Sequence, residues 1–220
     1  MSGRPSAPGL RASVAESARA LADAGLLIGT AGNVSAREGD LVAVTATGVV
    51  LGRCSADDVT VVDLGGAVVE GRPAPTSELA LHLAVYDARP ADRAVVHTHA
   101  PFATALACVL DELPVLHDQQ LALGGAIRVA SYATFGTDAL AASVGAALEG
   151  RSAALMANHG SVAVGATLEK AVESALLLEW LCQLHHRASA LGTPRTLSED
   201  QQLDVIRVAL ERDYGSTRKI

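Results

Sequence analysis

The chain has 220 residues, half of them hydrophobic but only 3% aromatic, with Lys+Arg 17 against Asp+Glu 24 for a formal charge of −7. That length suffices for one full core, and an acidic balance with no basic run longer than Arg218-Lys219 argues against nucleic acid or an anionic membrane as partner. No uninterrupted apolar segment reads as a signal or a span, so a soluble, cytoplasmic protein is expected.

Met1 to Gly9, small residues with Pro5 and Pro8, read as a disordered leader, and residues 10–220 as one domain. A first helix is predicted from about Ala12 to Ala24, with Val14, Ala18 and Leu21 on one side and Gly25 past its end. Two hairpins follow. Asn33 to Arg37 and Leu41 to Thr45 flank Glu38-Gly39-Asp40, and Val59 to Leu64 faces Ala67 to Val69 across Gly65-Gly66. Hairpins this close together imply antiparallel pairing and exclude a doubly wound nucleotide fold.

A helix from Ser77 to about Ala88 precedes a strand at Ala94 to His99, then a helix after Pro101, a strand at Ile127 to Ser131, and a helix opened by Thr137. The run Ala153 to Met156 leads into an Asn-His-Gly turn. A long helix spans about Leu168 to Leu191 and closes at Gly192, and Ser198 with Gln201 forms a capping box for a last helix reaching Tyr214. Alternation of helical patterns with β-branched runs defines an α/β layered domain. The abundance of small apolar side chains suggests further apolar burial between subunits. Cys54, Cys108 and Cys182 lack metal-ligand spacing and read as small buried hydrophobes.

Three histidines carry the chemistry. In a strand, side chains at i and i+2 share a face, so His97 and His99 can converge on one ion and leave a third corner to His159 in its turn. Three imidazoles without a cysteine leave a coordination position open for water or substrate, which is the ligand pattern of a catalytic zinc site. Glu78, after Pro75-Thr76-Ser77, reads either as a favourable acid at a capped helix start or as a proton acceptor beside the metal. Free N–H groups and two hydroxyls at that helix start could seat a phosphate, with donors added by the Gly32-Asn33 and Thr47-Gly48 turns and Arg72 near in sequence. His82, one turn after Glu78, could orient it, although a partner on its own helix is the simpler expectation. His185 and His186 read as solvated side chains, and His117 stays undecided.

Six segments, taken in order, resemble the motifs of class II aldolase/adducin proteins. They are Gly29-Thr30-Ala31-Gly32-Asn33-Val34-Ser35, Thr45-Ala46-Thr47-Gly48, Pro75-Thr76-Ser77-Glu78, Val96-His97-Thr98-His99-Ala100, Tyr132-Ala133-Thr134-Phe135-Gly136-Thr137 and Asn158-His159-Gly160. The resemblance runs from about Leu10 to Tyr214 and is strongest to the fuculose-phosphate aldolase branch. It implies an antiparallel sheet between helical layers, a three-layer sandwich, assembled as a homotetramer with active sites between subunits. By position it implies one Zn2+ per subunit on His97, His99 and His159, and Glu78 as acid/base. It assigns a sugar phosphate to Asn33, Thr47, Gly48, Thr76 and Ser77, and proton transfer to Tyr214. The implied reaction is reversible cleavage of a ketose 1-phosphate to dihydroxyacetone phosphate and an aldehyde.

One departure stands out. Where that branch carries a tyrosine proton donor, this chain has Asp118 after His117, so Asp118 is a candidate site residue on the aldehyde side. A sugar-phosphate 4-epimerase, a phosphorylated sugar-acid decarboxylase, and a non-catalytic adducin-head-like interaction module are the alternatives. Glu78 in place of an aspartate weighs against the epimerase, and retention of all three histidines weighs against the adducin-like module.

Overall fold

The computed structural model describes residues 7–212. Helix α1 (Ala7–Asp23) already includes Ala7 to Gly9, so those three residues are helical and not part of a disordered leader. The sheet begins with strands β1 (Asn33–Glu38), β2 (Leu41–Thr45), β3 (Val59–Asp63) and β4 (Val68–Glu70), the two expected hairpins. Helix α2 (Leu79–Ala88), strand β5 (Ala94–Thr98) and helix α3 (Pro101–Ala107) follow, with Pro101 at the first helical position, where its missing N–H costs nothing. Next come β6 (Glu112–Leu113), a short 3-10 turn over Asp118–Leu123, β7 (Ile127–Ala130), α4 (Asp138–Ala147), β8 (Ala153–Met156) and β9 (Gly160–Gly165). Helices α5 (Leu168–Leu191) and α6 (Glu199–Arg212) complete the described chain.

The strands form one nine-stranded sheet in the order β4-β3-β2-β1-β5-β9-β8-β7-β6. All pairs are antiparallel except β7 with β8. That pair departs from the expected all-antiparallel sheet because α4 lies between its strands in sequence, and a helical crossover returns the chain in the same direction. Period-two alternation then sorts the core. Val34, Ala36, Val96, Leu155 and Ala163 point to the side covered by α1, α3 and α5, where Val14, Leu21 and Leu178 pack. Val42, Val95, Ala154, Met156 and Val162 point to the side of α2 and α4, with Leu81, Val85, Leu140 and Val144.

Caps set the helix starts. The Thr137 and Thr167 hydroxyls accept from Leu140 N and Lys170 N at the heads of α4 and α5, and Ser198 and Gln201 exchange the expected capping-box bonds before α6. Among the described residues no helix is long and apolar enough to cross a membrane. Cys54 and Cys182 are buried as expected, but Cys108, just past the end of α3, is exposed.

Candidate metal centre and active site

The centre of the sheet carries the site. Asn33 of β1 is the Cα partner of His97 on β5, and His97 in turn pairs with Val162 on β9. His99 lies one residue past the end of β5, and His159 sits in the tight β8–β9 turn, where Asn158 adopts the left-handed conformation (φ 55°). The residue after His159 must be glycine. A Cβ on Gly160 would drive into the Thr98 carbonyl oxygen, and one on Gly32 would come within 2.8 Å of the His97 carbonyl. Both turns therefore press their backbones against the strand that bears the histidines.

The three imidazoles form a near-equilateral triangle, with ring centroids 4.8, 4.8 and 4.9 Å apart. Their nitrogens all lie within 4.8 Å of one another. His97 Nδ1 lies 2.9 Å from the Ser161 carbonyl oxygen, to which it donates, and its Nε2 faces His99 Nε2 at 3.0 Å. Burial first, then the neighbouring imidazoles, push the pKa of His99 down to about 4 and that of His159 downward as well. Three imidazoles converging on one point beside a carboxylate are the donor chemistry of a divalent cation. Among the described residues this triad is the cluster that could hold such an ion.

Glu78 faces the same point. Its Oε2 lies 3.1 Å from His97 Nε2 and its Oε1 3.5 Å from His159 Nε2. Glu78 is the N-cap of α2, yet its side chain makes no capping bond; its carboxylate turns to the histidines instead of to the helix end. Oε1 is buried with no hydrogen-bond partner, whereas Oε2 accepts from Asn33 Nδ2 at 2.9 Å. Burial alone would raise the pKa of this carboxyl. The hydrogen bond and charge of His97, the Asn33 amide and His159 outweigh it and hold the pKa down at about 2. The group is thus ionised at neutral pH, the reverse of the raised pKa that burial alone leads one to expect, and a cation at the triad would act in the same direction.

A cleft of about 410 Å³ opens on this cluster. Its walls are the Thr30–Asn33 turn, Ala46 to Gly48, Thr76 to Glu78, His99, His159 and Phe135. The walls are held by backbone bonds, Thr47 N to Ala74 O and Thr76 N to Thr45 O, which strap the start of α2 to the end of β2. Gly136 (φ 73°) lets the Tyr132 to Thr137 loop lie against the Ser77 carbonyl and delivers Phe135 to the rim.

Most of the expected site residues therefore meet. His97, His99, His159 and Glu78 converge, and Asn33, Thr47, Gly48, Thr76 and Ser77 surround them. The Asn33 side chain bonds at both ends, through Nδ2 to Glu78 and through Oδ1 to His82, which leaves one amide hydrogen for a further acceptor. Asp118 does not line the cleft; it sits half-exposed on the 3-10 turn beside His117, which packs edge-on to Trp180. Arg72 is also absent from the lining. Tyr214 lies outside the described residues. His82 has no partner on its own helix. Its ring reaches across to Asn33 and Ser35 on β1, which sequence spacing along α2 could not reveal. Exposed His186 instead stacks its ring near Phe102, 5.3 Å between centroids.

Fold and site together define an enzyme of the aldolase type, a lyase. The chain belongs to the class II aldolase and adducin family: the Class II Aldolase and Adducin N-terminal domain matches residues 12–186. It is 38% identical over 212 residues to the 5-methylthioribulose-1-phosphate/5-deoxyribulose-1-phosphate aldolase of Rhodospirillum rubrum, covering 96% of this chain and 95% of that one. To the L-fuculose phosphate aldolase of Escherichia coli K12 it is 38% identical over 183 residues, 83% of this chain and 85% of the other. A solved L-fuculose 1-phosphate aldolase superposes with a TM-score of 0.87 at 33% identity, covering 91% of this chain and 95% of that chain. YgbL of Klebsiella pneumoniae, described as a putative aldolase/epimerase/decarboxylase, gives 0.84 at 28% identity over 92% of this chain and all of its own.

Proposed function

We propose that this protein is a zinc-dependent aldolase that reversibly cleaves a ketose 1-phosphate to dihydroxyacetone phosphate and an aldehyde. The carrying observation is the Glu78 carboxylate set against three converging imidazoles at the mouth of a cleft lined by hydroxyls and backbone turns. His97, His99 and His159 would hold one zinc ion per subunit, and zinc bound there supplies Lewis acidity toward the substrate's carbonyl and hydroxyl oxygens. In the condensing direction Glu78 takes a proton from the hydroxymethyl carbon of dihydroxyacetone phosphate, and in cleavage it returns that proton to the same carbon. Thr47, Gly48, Thr76 and Ser77 seat the phosphate with neutral donors, and Asn33 forms the wall between seat and carboxylate. Among the described residues no lysine or arginine lines the cleft, so remote binding energy comes from hydrogen bonds to preset turns.

The substrate class rests on relatives whose names give 5-methylthioribulose 1-phosphate, 5-deoxyribulose 1-phosphate and L-fuculose 1-phosphate. The aldehyde half would meet residues that a single protomer does not supply. We place Asp118 and Tyr214 there, brought by a neighbouring subunit of a homotetramer, with Asp118 accepting hydrogen bonds from substrate hydroxyls and Tyr214 donating. Exposed Phe135 on the cleft wall, with exposed Tyr132 in the same loop, supports association there.

The test is release of dihydroxyacetone phosphate by zinc-loaded protein from fuculose 1-phosphate, 5-deoxyribulose 1-phosphate and 5-methylthioribulose 1-phosphate, with light scattering for the oligomer. Turnover of phosphorylated sugar acids or pentulose 5-phosphates, with none of the three ketoses cleaved, would replace this reading with decarboxylation or epimerisation.

A further inference from the structure

Behind Glu78 a line of four buried side chains runs away from the cleft between β1 and α2. Asn33 Nδ2 meets Glu78 Oε2 at 2.9 Å, and Asn33 Oδ1 makes a short bond to His82 Nε2. His82 Nδ1 meets Ser35 Oγ at 2.6 Å, and Ser35 Oγ meets the Tyr86 hydroxyl at 2.7 Å. His82 and Ser35 are fully buried and Tyr86 is 1% exposed. Ser35 and Asn33 share one face of β1, two residues apart, and His82 and Tyr86 are one turn apart on α2, so the two ladders interlock by spacing alone.

The line has only one internally consistent polarity. A carboxylate only accepts, so the amide must turn its NH2 to Glu78 and its oxygen to His82. His82 must then carry its hydrogen on Nε2 and accept on Nδ1 from the Ser35 hydroxyl, which accepts in turn from the more acidic Tyr86 phenol. Burial first, then the charge of His97, keep the His82 ring neutral, with its pKa pushed down to about 3 despite the opposing pull of Glu78. The opposite tautomer would turn the amide around and set its oxygen against the carboxylate. That arrangement is tolerable only if Oε2 holds the proton itself.

We propose that His82, through Asn33, is a positioning residue for Glu78: its Nε2–H locks the amide in the orientation that occupies Oε2 and so reserves Oε1 as the oxygen that carries the substrate proton. Oε1 is the buried, unpartnered oxygen, on the His159 side. A histidine kept merely to fill the core would have no need of a fixed tautomer, and leucine would fill the same place. The inference rests on Glu78 being the acid/base.

The test uses zinc-loaded protein, with metal content and thermal midpoint measured for each variant. His82→Leu should keep zinc and substrate KM, since His82 touches neither triad nor seat, and lose about 10²-fold in kcat, the scale of a misplaced catalytic group. His82→Gln, which retains a donor toward Asn33 and an acceptor toward Ser35, should recover most of that loss. Nitrogen-15 NMR of the histidine rings should show His82 as the neutral Nε2–H tautomer, and Ser35→Ala should weaken that preference. The proposal is overturned by a wild-type kcat in His82→Leu, by equal losses in the Leu and Gln variants, or by an Nδ1–H tautomer in the native protein. The tautomer measurement decides even where His82→Leu does not fold. Full turnover in Glu78→Gln would instead remove the acid/base assignment beneath it, a separate failure.

Discussion

Asn33 and His97 face each other across β1 and β5, so the residue that grips one oxygen of Glu78 and the residue that oxygen approaches ride on directly paired strands. The carboxylate is therefore located by the sheet and not by the helix it caps. A shift of register would carry Asn33 to the opposite face and lose both contacts at once.

Removing a triad member should remove the metal. His97→Ala and His159→Ala are expected to retain the fold but bind little zinc after dialysis, and to show no activity that zinc restores. Elemental analysis of the purified variants checks this; stoichiometric zinc in either would refute the centre as described.

Glu78→Gln keeps the size and the Asn33 neighbour but cannot exchange a proton. Zinc content should remain, with turnover reduced by ~10²- to 10⁴-fold, the usual contribution of a general acid/base. Steady-state rates with metal content on the same preparation make the comparison.

Ser77→Ala should weaken the phosphate seat without touching the triad. The expected result is a raised KM for the phosphorylated ketose with unchanged zinc, and little additional loss on the unphosphorylated sugar, which wild type itself should handle poorly.

Gly160→Ala tests the close approach of the β8–β9 turn to Thr98. Backbone must move to admit the methyl group, so the variant should lose about 1–3 kcal/mol of stability and a large part of its zinc affinity. Gly145→Ala is the control: its site in α4 is open, and it should be neutral or stabilising by about 0.5–1 kcal/mol.

The metal-free protein should weaken on mild acidification. His82 has a folded pKa of about 3 against an ordinary 6.5, so between those values the unfolded chain binds more protons and stability falls as pH falls. Glu78, held at about 2 from 4.5, contributes stability that begins to fade only below about pH 4.5, so the window from 6.5 to 4.5 isolates the imidazoles. Chemical denaturation across that window should show a slope smaller by about 1.4 kcal/mol per pH unit in His82→Gln.

Features set by local spacing were legible in the sequence. The i, i+2 pair His97 and His99, the turn at His159, the β1–β2 hairpin and the Ser198 capping box all depend on neighbours within a few residues. Resemblance supplied the convergence of Glu78 and the hydroxyl turns, which no spacing rule contains. What stayed hidden depends on partners distant along the chain: the strand of small residues at Gly160–Gly165, the parallel pairing of β7 with β8, and the bond from His82 to β1. A helix-face histidine looks the same in a sequence whether its partner is one turn away or across a sheet.

The central strands β1, β5 and β9 lie side by side but are drawn from three remote stretches of chain, and His97 leans on a carbonyl 64 residues away. The triad forms only once β5 has paired with β9, which carries the His159 turn into place. Zinc uptake should therefore report that pairing, and a cation that binds only the paired strands stabilises the folded state by mass action, so metal supply would set how much of this protein stays folded.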